Sequence, residues 1–165
     1  GNLEGKQSLV VFLDPSCGYC KKFHGELDTI LNKNKDLKVT YIDIPILGPG
    51  STEIIKAMLA ANAQGKYEQL QKAIFAADKS LTKKQILKLA DSLGIDTKKL
   101  AKDMKSKEIE VQITRNSELA KVLGINGTPT LVIGETVYPG YMSADEVLKS
   151  LEEAAGVVKV AEPAK

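Results

Sequence analysis

The order of segments predicts an α/β protein: a β-α-β unit, a block of helices, and a β-β-α unit. Three observations carry this. A short apolar run at 8–13 gives way at once to helical periodicity. Residues 51–123 show no strand signal. Two short β-branched segments then close the chain ahead of a last helix. A split sheet with a helical insertion follows from that order.

Ser8 to Leu13 is β-branched and aromatic without alternation, the pattern of a strand buried on both faces. Asp14-Pro15-Ser16 breaks it. From Cys17 the apolar positions Cys20, Phe23, Leu27, Ile30 and Leu31 recur at three- and four-residue steps, as on one face of a helix. Lys38 to Pro45 reads as a second strand, stopped by Pro45 and by Gly48-Pro49-Gly50. Strand, helix and strand at this spacing form a right-handed parallel unit.

In the insertion, Ser51 or Thr52 is the expected cap of a helix carrying Ile55, Met58 and Leu59, which ends near Gly65. Tyr67, Leu70 and Ile74 mark a second helix. Thr82 and Gln85 have the spacing of a capping box, and Gly94 stops the helix they open. Asp96 caps a short turn toward Leu100 and Met104. Ile109, Ile113, Ala120 and Leu123 mark a longer helix ended by Gly124. Strands return at Thr130–Ile133 and Thr136–Tyr138 around Gly134-Glu135, a hairpin signal. Ser143 and Glu146 form a second capping box for the last helix. The expectation is one domain over 1–156, with the insertion at about 51–123 and a frayed tail at 157–165.

Composition narrows the function. The 165 residues are 43% hydrophobic and 27% charged, ordinary for a globular chain. The formal charge is +2, and Arg115 is the single arginine, so the chain lacks the basic field and the guanidinium forks of a nucleic-acid binder. No apolar run approaches the length of a transmembrane helix. The chain opens on Gly1 without a signal-peptide pattern, which reads as a processed or trimmed product.

There are two cysteines, Cys17 and Cys20, two residues apart. They close too local a loop to staple a fold. Cys17 falls where the strand ends and the helix begins. Unpaired backbone N–H groups and the positive end of the helix dipole there favour thiolate over thiol. Cys20 lies one turn further in and more covered. Cys17 is therefore expected to be the nucleophile and Cys20 the resolving thiol. Half a zinc site is the competing reading, with His24 as a third ligand. A closed site needs four, and the chain has no further Cys or His. His24 reads as a surface residue. A soft-metal site for copper on the same two thiolates is the alternative from another class. More than a hundred residues away, Gly127-Thr128-Pro129-Thr130 enters a strand through proline, which demands a special turn. That turn is either an ordinary trans one or a cis-proline. The second would leave the Thr128 backbone free to pair with an extended peptide beside Cys17.

Four segments carry a resemblance: Val-Val-Phe-Leu-Asp-Pro-Ser-Cys-Gly-Tyr-Cys-Lys-Lys, Ile-Pro-Ile-Leu-Gly-Pro, Gly-Lys-Tyr-Glu-Gln-Leu and Leu-Gly-Ile-Asn-Gly-Thr-Pro-Thr-Leu-Val-Ile-Gly. Through them the chain resembles, over nearly its whole length, the DsbA-like thiol:disulfide oxidoreductases of the thioredoxin-fold superfamily. Gly18-Tyr19 between the cysteines and Thr128 before the proline look most like the suppressor-of-copper-sensitivity type and oligomeric oxidase/isomerase relatives. The resemblance implies a thioredoxin fold with a helical insertion between its βαβ and ββα halves. It implies Cys17 and Cys20 for redox, Thr128 and Pro129 for holding substrate peptide, and Gly18 and Tyr19 for tuning the potential. The implied setting is the bacterial periplasm, without cofactor or metal. The implied partners are unfolded or misoxidised polypeptides and a membrane redox protein. Two departures stand out. The buried Glu that many relatives carry six residues before the first Cys is Val11 here, with Asp14 as the nearest carboxylate. Isomerase-like relatives have an N-terminal oligomerisation segment where this chain has about seven residues, so the sequence as it stands is expected to be monomeric.

Overall fold

Leu9, Val11 and Leu13 alternate with Val10 and Phe12, and both sets are apolar, so the first strand packs on both its faces. The computed structural model describes residues 1–77 and 81–157 and has that strand, β1 (Gln7–Leu13), as an inner strand of a four-stranded sheet. Helix α1 (Gly18–Lys33) leads to β2 (Leu37–Asp43), which runs parallel to β1 and pairs Val11 with Tyr41 and Leu13 with Asp43. Across the insertion, β3 (Thr130–Ile133) lies antiparallel on the other side of β1, and β4 (Thr136–Pro139) pairs antiparallel with β3. The sheet order is β2-β1-β3-β4. Gly134 makes the hairpin turn at φ +59°, a backbone region open to glycine at little cost.

Among the described residues five helices fill the insertion: α2 (Pro49–Asn62), α3 (Tyr67–Ala76), α4 (Lys83–Ser92), α5 (Thr97–Asp103) and α6 (Lys107–Val122). The Thr82–Gln85 capping box forms in both directions, and the Asp96 carboxylate accepts the Lys98 and Lys99 N–H groups. The Ser143–Glu146 box opens α7 (Ala144–Val157) in the same way. Val157 is helical and is the last described residue, and the rest of the expected frayed tail lies outside the described residues.

Two boundaries differ from expectation. Helix α2 begins two residues before Ser51: Gly48 is its N-cap at φ +101°, and Pro49 takes the first helical position, where its missing N–H costs nothing. Strand β2 ends at Asp43, although the Ile44 N–H still reaches the Leu13 carbonyl at 2.9 Å.

The sheet separates two apolar clusters. On one face α1 and α7 bring Cys20, Phe23, Ile30, Val147 and Leu151 onto Leu9, Val11 and Leu13. On the other, Phe12 meets Ile44, Ala120 and Ile125 from the end of α6. A third cluster, with Met58, Leu70, Ile86 and Leu100, holds the insertion together. Each fully buried side chain of this size contributes about 1.5–3 kcal/mol relative to exposure. These clusters therefore fix where β1 ends, and with it where Cys17 sits.

Candidate active site

The turn between β1 and α1 is braced by one buried carboxylate. Asp14 has no exposed surface. Its Oδ1 accepts the Ser16 N–H at 2.8 Å, and its Oδ2 accepts the Leu47 N–H at 2.9 Å. Its carbonyl takes the Cys17 N–H at 3.0 Å. The Ser16 hydroxyl is bonded at 2.9 Å to that of Ser51, which ties the turn to α2. Asp14 thus spends both oxygens on backbone donors, which makes it a brace for the loop.

So held, Cys17 is the N-cap of α1, with φ −82° and ψ 122°. Its carbonyl accepts the Lys21 N–H at 3.0 Å. No acidic residue stands in the first helical turn, so the positive end of the helix is not neutralised locally. Gly18 and Tyr19 point outward: Tyr19 is 64% exposed, and a side chain added at Gly18 would meet nothing within 4 Å.

Cys20, one turn on, is buried beneath α1 among Leu13, Phe23 and Phe75. Burial penalises its thiolate and pushes the thiol up to about 12, against opposing effects from the Asp14 backbone and the Thr128 hydroxyl. Both cysteines are free thiols.

The segment before β3 arrives directly over Cys17. The Cys17 thiol donates to the Thr128 carbonyl at 3.3 Å, and the Thr128–Pro129 peptide bond is cis. The turn is held by the Thr130 hydroxyl on the Gly127 carbonyl and by the Gly140 N–H on the Pro129 carbonyl, both at 2.8 Å. The Thr128 hydroxyl oxygen is buried with no partner at ordinary hydrogen-bond geometry. It still lies near enough to the Cys20 thiol to act on its titration. The fold thus brings together Cys17, Cys20, Thr128 and Pro129, with Gly18 and Tyr19 on the rim.

His24 corrects an expectation. It is half-buried, with its ring centroid 4.8 Å from that of Phe75, and burial lowers its pKa. Among the described residues no group of three or more His, Cys, Asp and Glu side chains could hold a metal ion. One buried acid escaped sequence reasoning altogether. Asp43, at the end of β2, takes the Tyr67 hydroxyl on its carboxylate at 2.8 and 3.0 Å, and burial raises its pKa to about 7. The signal was present as an acid inside an apolar strand, but its partner lies 24 residues on.

A strand-to-helix dithiol facing a cis-proline turn, on a four-stranded mixed sheet, defines a thioredoxin-like protein. The chain belongs to the thioredoxin family, whose sequence profile matches residues 1–153. Within that family its structure is similar to DsbA-like and ScsC proteins. A thioredoxin-like oxidoreductase from Silicibacter pomeroyi DSS-3 superposes with a TM-score of 0.91 at 32% identity, covering 94% of this chain and 90% of that one. The thiol-disulfide exchange protein alpha-DsbA2 from Wolbachia pipientis gives 0.86 at 29% identity, covering 93% and 84%. ScsC from Proteus mirabilis gives 0.86 at 28%, covering 95% and 71%. Among curated relatives, the thiol:disulfide interchange protein DsbC of Salmonella typhimurium is 28% identical over 150 residues, 90% of this chain and 52% of that protein. The Na(+)/H(+) antiporter NhaA 1 of Mycobacterium sp. (strain KMS) is 24% identical over 157 residues, 92% of this chain. The chain spans about a quarter of that protein's length, 26%. Among the described residues no helix is long and apolar enough to cross a membrane.

Proposed function

We propose that this chain is a thiol:disulfide oxidoreductase that forms or rearranges disulfides in exported polypeptides of the bacterial periplasm, with residues 1–156 as one catalytic domain. The observation that carries the reading is the 3.3 Å approach of the Cys17 thiol to the Thr128 carbonyl, with Cys20 buried one turn behind.

In the oxidising direction a substrate thiolate attacks Cys17 Sγ of the Cys17–Cys20 disulfide. The S–S bond breaks, Cys20 leaves with the electron pair and takes a proton, and a mixed disulfide joins substrate to Cys17. A second substrate thiolate attacks the substrate sulfur of that bond and releases Cys17. The substrate loses two electrons and the protein gains them. The burial that raises Cys20 makes it a poor nucleophile at neutral pH, so the mixed disulfide persists long enough for the substrate's own second thiol to compete. Thr128 and Pro129 hold the substrate backbone beside Cys17, while Gly18 and Tyr19 tune the reduction potential of the pair. A membrane redox protein exchanges the electrons afterwards. Isomerisation belongs to an assembly of several such domains.

The test is the reduction potential of the Cys17–Cys20 pair in a glutathione series, with Cys20→Ser used to trap substrate on Cys17. A potential toward the oxidising end of the thioredoxin-like range and a trapped adduct are expected. Tight Cu(I) binding with no exchange on any thiol substrate would favour a soft-metal protein instead.

A further inference from the structure

Helix α6 carries apolar residues on two opposite faces. Its inner face is accounted for: Ile113 is buried, Ala120 packs with Phe12, and the Asn116 amide donates to the Asp43 carbonyl at 3.0 Å. Val111, Arg115, Glu118 and Val122 follow one another at four- and three-residue steps, which gathers them into one stripe on the opposite side. All four are exposed, Val122 to 83%, and Leu119 beside them to 43%. A surface helix needs one apolar stripe for its own core. Helix propensity does not explain the second, because valine is among the weaker helix formers.

The charges within the stripe point to what covers it. Arg115, the single arginine of the chain, lies inside the stripe with Glu118 one turn on. Among the described residues neither side chain has an ion-pair partner, whereas Glu110 on the same helix reaches Lys56. The order along the stripe is apolar, basic, acidic, apolar, and reversing it gives its own complement. Laid antiparallel on a copy of itself, about a two-fold axis between Asn116 and Ser117, the stripe sets Val111 against the partner's Val122. The same axis sets Arg115 against the partner's Glu118, and each contact occurs twice. A parallel pairing would instead put arginine on arginine and glutamate on glutamate. An unrelated partner requires no such symmetry.

We propose that two copies of this chain associate through α6, packed antiparallel about a two-fold axis. Val111, Leu119 and Val122 supply the apolar contact, and two Arg115–Glu118 pairs lie at its centre. Arginine suits this place, since its planar guanidinium meets a carboxylate with two parallel bonds. The contact uses none of the residues at the dithiol. Ala120 anchors α6 on the Phe12 face of the sheet, while Cys20 and α1 pack on the other. Self-association is therefore independent of the exchange chemistry. One helix pair buries less than the roughly 1,200–2,000 Å² of a stable interface, so the dimer is weak, with a Kd of about 100 μM. The expectation of a monomer rests on the segment before β1, which takes no part in this contact.

Sedimentation equilibrium from about 5 to about 500 μM tests this on the reduced chain. The average mass is expected to rise from one chain toward two, with its midpoint near the Kd given above. Arg115→Glu and Glu118→Arg are each expected to weaken association about tenfold or more, because each sets like charges together twice. The double variant Arg115→Glu/Glu118→Arg exchanges the two charges and restores association to within about threefold. Val122→Asp weakens it by a factor similar to that of the single charge changes. These side chains are exposed, and urea midpoints of the variants verify that each one folds. A wild-type chain that keeps the mass of one copy at the highest concentration overturns the proposal. So does an association indifferent to Arg115→Glu, or one that the double variant fails to restore.

Discussion

The thiol of Cys17 and the carbonyl of Thr128 lie 3.3 Å apart across 111 residues of chain. One is placed by the brace at Asp14, the other by the turn into β3, and both elements are anchored on β1. The pair leaves one sulfur reachable while Cys20 stays beneath α1. Iodoacetamide at neutral pH is therefore expected to label Cys17 and spare Cys20. In a Cys17→Ser chain, the thiol held near 12 is expected to react about a hundredfold more slowly than an ordinary exposed cysteine, since its small thiolate fraction outweighs its greater nucleophilicity. Mass spectrometry of timed quenches checks this, and equal labelling of both cysteines would refute it.

Asp14 holds two backbone donors with no other acceptor in their place. Asp14→Ala is expected to cost about 3 kcal/mol in urea unfolding, in line with two hydrogen bonds to a charged group. Asp14→Asn, which keeps one acceptor oxygen, is expected to cost about half as much. Hydrogen exchange at the Ser16 and Leu47 amides should quicken in both. Unchanged exchange there would mean that the loop holds itself without the carboxylate.

The buried Thr128 hydroxyl makes no hydrogen bond of ordinary geometry, so the isosteric Thr128→Val is expected to change stability by less than about 1 kcal/mol, in the stabilising direction. The Cys17 contact uses the backbone carbonyl and survives the change. The Cys20 thiol should move further up, because an opposing interaction is gone. The rate of Cys20 alkylation near neutral pH in a Cys17→Ser background reads the direction of that change, and a faster rate in Thr128→Val would sink the assignment.

Asp43 gives a pH signature with a definite sign. Burial raises its folded pKa to about 7, above the ordinary carboxylate value, despite the Tyr67 hydroxyl and with the charge of Asp14 adding to the rise. The folded state then keeps a proton that the unfolded chain gives up. Its contribution is complete below about pH 4 and is lost as pH climbs through about 7. Asp43→Asn should match the wild type in stability near pH 4 and exceed it near pH 8. The excess is at most about 4 kcal/mol, since each tenfold change in proton affinity is worth about 1.4 kcal/mol. Urea midpoints of the two chains across that window measure the difference. A gap that stays flat with pH would show that Asp43 titrates alike in both states.

Elements with local signals were legible in the sequence. The Thr82–Gln85 and Ser143–Glu146 boxes name their own partners three residues on, and the run at 8–13 could be buried on both faces only as an inner strand. The start of α2 was misplaced because Ser51 is a good cap in isolation, yet Pro49 already satisfied the first helical position and Ser51 turned inward to Ser16. Asp43 was passed over because an acid inside a strand gives no hint of a tyrosine hydroxyl 24 residues away. Helical spacing alone puts His24 toward the surface and does not reveal Phe75 packing against its ring.

By itself the sequence determined the α/β order, the helical insertion and the identity of the two thiols, because periodicity, caps and a C-x-x-C spacing are encoded within a few residues. Tertiary structure alone decided that the Thr128–Pro129 bond is cis, that its carbonyl meets Cys17, and that Asp14 is committed to backbone N–H groups. It also decided how deeply Cys20 is desolvated. Each of these depends on the packing of segments far apart in the chain against β1, and no local pattern records a distance of that kind.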